Sequence, residues 1–501
     1  MRKIPILLVG VSLAVTGFAG AAEPTSAPRP KVVVALIDTG INPYAPAFRD
    51  DSDMAKLSPS SYIPDYPPDC PPDQTEASLD CAIALNLHLN EPTLASAFAV
   101  DKAIWGDPAD PDNFPGAILQ RQLYYIPGTK IIGATSFGAG GRFSSKKIPN
   151  GPYVTLPATP LSLNSSDKCP ERLILDDFGH GTMTASRSTG APDSLAPTAR
   201  VVMIEGLGAD SSTWAANQPW IDVQSNSWGS LTPAPADRTD MDAFTAMAQK
   251  QMVMVASGNG IAFSGFAPTP TELDGLGAPG VVLVGGHDNG HVSAWSGAPA
   301  HVVADAFAGM AASNLSLDAM APQPMSCCTS AASPYAAGGA AAILLRAREI
   351  LGDARTGMHD GYVAQAPVGH AVPSTGPLSD GKLTLGEWRE LLLHTAQARP
   401  LEHPDDGDLN YMGSPGSAPK HPEYGIGDNP FCEGCTTLPL KWADVPAAMP
   451  AYESIGYGSV DLVSIALAYE VLSGATSEPV RPDEDSFFAQ ADQVRDAIWG
   501  L

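Results

Sequence analysis

Positive charge is scarce in this sequence. Only 28 Lys and Arg stand against 54 Asp and Glu among 501 residues, a formal net charge of −26. A surface of that sign repels a phosphate backbone, which argues against a nucleic-acid partner. Long apolar runs are also missing. No stretch reaches the ~18 uninterrupted apolar residues of a membrane span. The nearest, Ala331 to Leu345, is interrupted by Ser333, Pro334 and Tyr335 and reads as a buried core helix. There is no internal repeat. Cys432 and Cys435 form a lone CxxC without the further thiols or imidazoles that a zinc site needs.

What is present is apolar mass. Hydrophobic residues make up 44% of the chain, enough to build a large core and to exclude wholesale disorder. Glycine and proline number 48 each. Proline is thereby about twice its usual ~5% share, which predicts many rigid surface loops.

The amino terminus reads as a secretory signal. Arg2 and Lys3 precede a largely apolar Ile4 to Val15, and Ala19 and Ala21 supply small residues at a cleavage site. Residues 1–21 are therefore expected to be removed, leaving a secreted or periplasmic chain with no stable membrane span. Seven cysteines suit an oxidising compartment. Local disulfides are expected at Cys70–Cys81 and Cys432–Cys435. Cys169 is expected to pair with Cys327 or Cys328, which leaves one thiol over.

Short, continuously apolar β-branched runs at Val32 to Ile37, Val201 to Ile204, Met252 to Val255 and Val281 to Val284 read as strands of a parallel sheet covered on both faces. Helical patterns lie among and after them: Thr239 to Gln251, Ala331 to Ile350, Leu385 to Ala396 and Val460 to Leu472. The alternation predicts an α/β fold. Eight prolines between Pro43 and Pro72 open a loop-like region that persists to about Pro170. A second such region spans 351–438. Both read as insertions into one domain over 31–475. The tail, 476–501, carries one amphipathic helical face through Phe487, Ala491, Val494 and Ile498.

Four short segments carry chemistry. Val34 to Gly40 ends an apolar strand on Asp38, a carboxylate at the sheet edge where sites form in open α/β sheets. His180, between Gly179 and Gly181, is an accessible imidazole at a helix start, suited to general-base work near neutral pH. Asn259 lies between glycines directly after a strand, so its amide is a donor for a developing oxyanion. Ser330 opens a helix, whose amino end stabilises negative charge forming beside it. Singly, each has a structural explanation: a turn cap, a hydrogen-bonded histidine, a common Gly-Asn-Gly turn and an N-cap.

Together, in the order Asp, His, Ser, the four resemble the subtilisin-like serine peptidases. The resemblance rests on IDTG around Asp38, GHGT around His180, SGN at Asn259 and TSAASP around Ser330. Supporting matches are Ala196 to Met203 as the strand after the His helix, Asn226 to Gly229 as a substrate-binding strand, Gly280 to Ser296 as a strand and hairpin, and Gly456 to Asp461 as the closing helix. The resemblance implies a three-layer fold with a central, mostly parallel sheet and helices on both faces.

It also implies roles. Asp38, His180 and Ser330 would be the catalytic triad, and Asn259 the oxyanion-hole donor. Ser227, Trp228 and Gly229 would bind extended substrate, with Ala256, Ser257 and Gly258 lining the first specificity pocket. The substrate would be a protein or peptide. No cofactor or metal would be needed for the chemistry. Asp107, Asp110 and Asp112, and likewise Asp405, Asp406 and Asp408, form acidic loops without EF-hand spacing. They read as solvated loops, structural calcium being the alternative.

Three features depart from the family pattern. Cys328 stands where the family usually has glycine, Asp38 and His180 are 142 positions apart, and the stretch between Ala21 and Lys31 is too short for an inhibitory folding domain. They keep two other readings open: a catalytically silent peptidase-like binding module, and a processing protease dedicated to one partner protein.

Overall fold

A computed structural model describes residues 31–72, 77–91, 96–97, 99–101, 121–137, 143–147, 153–157, 176, 180–190, 194–228, 238–258, 279–288, 291–292, 296, 300–306, 329–397 and 456–480. The signal-like residues 1–21, the cysteines at 169, 327, 328, 432 and 435, both acidic clusters and the helical face expected through Phe487 to Ile498 lie outside these residues.

The strands are β1 (Val33–Asp38), β2 (Ala82–Ala84), β3 (Leu123–Tyr125), β4 (Ile131–Ser136), β5 (Phe143–Lys147), β6 (Tyr153–Pro157), β7 (Arg200–Glu205), β8 (Val223–Asn226), β9 (Met252–Ala256), β10 (Val281–Asp288), β11 (His291–Val292), β12 (Val302–Asp305), β13 (Ala364–Gln365), β14 (Lys382–Leu383) and β15 (Ser459–Val460). The α-helices are α1 (His180–Thr189), α2 (Ala209–Ala216), α3 (Arg238–Ala248), α4 (Thr329–Leu351), α5 (Leu385–Thr395) and α6 (Leu462–Leu472). One large sheet runs in the order β15-β12-β10-β9-β8-β1-β7-β4-β3-β2, with β11 hairpinned onto β10. Its pairings are parallel except β3–β4 and β10–β11.

Both faces are covered, as the unbroken apolar strands require. In β1, Val34 and Leu36 join Ala336, Ala340 and Leu344 of α4 on one face. Val33, Ala35 and Ile37 join Trp220, Phe244 and Met247 on the other. Helices α1, α4, α5 and α6 thus share the first face, and α2 and α3 the second. The fold is the three-layer, subtilisin-like α/β architecture. Among the described residues no helix is long and apolar enough to cross a membrane. The Cys70–Cys81 disulfide is present.

The predicted elements are shifted in three places. The loop-rich stretch 43–170 contributes β2, β3 and β4 to the main sheet, and every residue of β4 is buried against β7 and its neighbours. Averaged composition hid this apolar run among prolines and glycines. Gly456 to Asp461 is not helical. Ser459–Val460 pairs with β12, and Asp461 caps α6 by accepting from the Val463 and Ser464 N–H groups. The cause is Gly456, whose φ of +55° favours glycine and whose Cβ, if present, would lie 2.1 Å from the Ala300 carbonyl oxygen. Finally, Asn226 ends β8, so Ser227 and Trp228 follow the strand rather than form it. Helix α5 begins where a capping box between Thr384 and Glu387 places it.

Candidate active site

Strand β1 lies between β7 and β8. The chain leaves β7 on one side and returns at β8 on the other, so the carboxyl end of β1 is a topological switch point, where ligand sites form. Asp38 is the last residue of β1, with its side chain 3% exposed. His180 is the first residue of α1, with its ring 18% exposed. Asp38 Oδ1 lies 2.7 Å from His180 Nδ1 and also accepts the Thr39 N–H at 2.8 Å. Asp38 Oδ2 accepts the Thr184 hydroxyl at 2.9 Å, one helical turn beyond His180. The carboxylate thus holds the imidazole at Nδ1.

A second carboxylate locks this arrangement. Asp176 is 1% exposed. Its Oδ1 accepts the Thr39 hydroxyl at 2.8 Å and its Oδ2 the Thr182 N–H at 2.7 Å. Thr39 Oγ1 in turn accepts the Gly181 N–H at 2.9 Å. Two of the free N–H groups at the start of α1 are thereby satisfied, that of Gly181 by Thr39 in the turn after Asp38 and that of Thr182 by Asp176. Gly181 permits the close approach: a Cβ there would stand 2.2 Å from the Gly40 carbonyl oxygen.

The electrostatics follow from burial and charge. Burial pushes the His180 imidazole down, but the Asp38 charge, its hydrogen bond and the charge of Asp176 outweigh this. The net shift is upward from the ordinary histidine value. Asp176 is itself pushed up, chiefly by burial and also by the charge of Asp38, against its hydrogen bonds from Thr182 and Thr39.

Ser330 is the second residue of α4, in its first turn, and is half-buried. It is a helical residue rather than the cap. Met183 of α1 and Ala331 of α4 pack together, so the helix that begins at His180 and the helix that carries Ser330 meet within a turn of both residues. The Ser227 hydroxyl donates to the Ser330 carbonyl oxygen at 2.9 Å. The Trp228 ring packs at a tilt against Phe244 with centroids 5.5 Å apart. Ala256 and Ser257 are buried at the carboxyl end of β9, followed by Gly258. Asn259, Gly229 and Cys328 lie outside the described residues.

Sequence reasoning missed Asp176, Thr39 and Thr184 as members of this site. The available signal was spacing: a carboxylate four residues before His180, and a hydroxyl four residues after it. Among the described residues no group of three or more His, Cys, Asp or Glu side chains is placed to hold a metal ion.

The sequence model of the subtilase family (peptidase S8) matches residues 29–413. No curated protein sequence matches the chain. Similar solved structures include a mutant of the protease domain of PatA, at 13% identity and a TM-score of 0.40, covering 90% of this chain and 99% of that one. A cold-adapted subtilisin-like serine proteinase is 18% identical with a TM-score of 0.33, over 50% of this chain and 76% of that one. The prenylagaramide maturation protease PagA is 15% identical with a TM-score of 0.31, over 65% and 83%.

Proposed function

The chain belongs to the subtilase family of serine peptidases, and from that premise we propose that it is a secreted or periplasmic endopeptidase acting through Ser330, His180 and Asp38. The observation that carries the reading is the Asp38–His180 hydrogen bond, formed between residues 142 positions apart. Export rests on the signal-like residues 1–21, and the Cys70–Cys81 disulfide is in keeping with it.

In this mechanism Ser330 Oγ attacks the scissile carbonyl carbon while His180 Nε2 takes the hydroxyl proton. The imidazolium then protonates the leaving amine, and an acyl-enzyme remains on Ser330. Water repeats the sequence to release the acid and restore the serine. Asp38 holds the ring in the tautomer with its proton on Nδ1 and stabilises the imidazolium. The Asn259 amide and the Ser330 N–H would receive the tetrahedral oxygen. Substrate would lie extended beside Ser227 to Gly229, bound through its backbone, with its first side chain toward Ala256, Ser257 and Gly258.

The test is labelling with a serine-reactive fluorophosphonate, together with casein hydrolysis. The parent is expected to label on Ser330 and to cleave casein, and Ser330→Ala to do neither. A parent that does not label is a silent module. One that labels but leaves casein intact is a dedicated processing enzyme. A Ser330→Ala variant as active as the parent overturns the assignment.

A further inference from the structure

We propose that Ser227 is a positioning residue for the nucleophile, holding the Ser330 carbonyl that Pro334 deprives of its helical donor. This rests on the reading of Ser330 as the nucleophile.

In a regular helix the carbonyl of residue 330 accepts from the N–H of residue 334. Helix α4 has Pro334 there, buried and inside the helix. Proline has no N–H to give, and its ring crowds the carbonyl four residues earlier. The Ser330 carbonyl is thus without its ordinary helical donor. The Ser227 hydroxyl meets it at 2.9 Å.

Ser227 is well placed to act as a fixed post. It follows β8 directly, and β8 is buried between β1 and β9 in the middle of the sheet. The first turn of α4 is therefore tied sideways to the sheet instead of along its own axis. Because the bond is to the nucleophile's own backbone, it sets the peptide plane from which Oγ projects. It also joins the nucleophile to the segment assigned to substrate binding. Displacing a reacting group by about 1 Å costs on the order of 10²-fold, so a bond at this atom bears directly on acylation.

A double-mutant cycle tests the idea: Ser227→Ala, Pro334→Ala and the two together, with Ser227→Thr as the variant that keeps the hydroxyl. The readout is the rate at which a small fluorophosphonate lacking any peptide portion labels Ser330. Such a probe cannot touch the substrate strand. Ser227→Ala is expected to slow labelling about tenfold, the effect of one part-buried acceptor left without its donor, and Ser227→Thr to restore most of it. In the P334A background the restored N–H serves the carbonyl, and S227A is expected to cost less than about threefold. Against peptide substrates S227A should lower kcat and leave KM nearly unchanged.

Equal penalties in both backgrounds, or an S227A protein that labels as fast as a labelling parent, overturn the proposal. A raised KM with unchanged labelling returns Ser227 to substrate contact alone and overturns it too. A parent that does not label strikes the peptidase reading instead. Should S227A not fold, the cycle is read on the yield of folded protein. Recovery on adding P334A supports the proposal, and no recovery overturns it.

Discussion

The Thr39 hydroxyl donates to Asp176 at 2.8 Å, while the Thr39 N–H donates to Asp38 at the same distance. One residue therefore joins two buried carboxylates, and through them the β1 turn to the start of α1. Asp176→Asn keeps the side-chain volume but replaces one acceptor with a donor facing another donor. A loss of about 1–3 kcal/mol is expected, read by urea unfolding. The variant also removes a negative charge that holds His180 upward. Its acid limb of activity should therefore move to lower pH than the parent's. An unmoved limb would remove Asp176 from the electrostatics of the site.

For the parent, the pH dependence follows from the sign of the His180 shift. A general base works only when neutral, so activity falls as pH drops through the imidazole pKa. That value is raised above the ordinary ~6.5. The midpoint of the acid limb of kcat/KM should lie above 6.5. The stabilisation that the folded state gives to protonated His180 is fully present below the unfolded pKa and lost as pH rises through the folded one. A pH–rate profile on a small ester substrate checks the first point, and a midpoint below 6 contradicts it.

Gly181→Ala places a methyl group where the Gly40 carbonyl oxygen would be 2.2 Å away. That contact is with backbone, which cannot swing aside. Overpacking of about 1–3 kcal/mol is expected, with α1 pushed from the β1 turn and the Asp38–His180 bond lengthened. A lower Tm together with slower fluorophosphonate labelling would register both. Full activity at the parent's Tm would contradict the contact.

Arg348 and Asp222 form a fully buried ion pair at 2.6 Å. Asp222 also accepts the Val33 and Gly357 N–H groups, and Arg348 also donates to the Lys31, Val363 and Gly357 carbonyls. Arg348→Met leaves a buried carboxylate without its counter-ion, at a cost of about 3–5 kcal/mol. Adding Asp222→Asn should recover part of that loss. Denaturant unfolding of the two variants checks the order, and a double variant less stable than R348M reverses the argument.

Much of this architecture is legible in the sequence. Four of the central strands are continuous apolar runs and the core helix α4 is a long, alanine-rich one broken only by a few residues, and burial on two faces leaves that pattern in a sequence. Asp38, His180 and Ser330 were legible because glycines, a strand end or a helix start frame each of them. Strand β4 was not, since a short run such as Ile131–Ser136 is outweighed by the prolines and glycines around it. Asp176 was not, because a lone carboxylate looks alike whether it is solvated or buried under two threonines.

The chain by itself determined which groups exist and roughly which element ends they occupy, because hydrophobic periodicity and glycine or proline punctuation are local properties. Only the tertiary structure decided which of them meet. The Asp38–His180 bond, the Asp176 bridge and the Ser227 hold on the Ser330 carbonyl each join residues far apart in sequence. No local pattern encodes such a pairing. It is created when β1, β8, α1 and α4 pack around one sheet and bring their ends to a single edge.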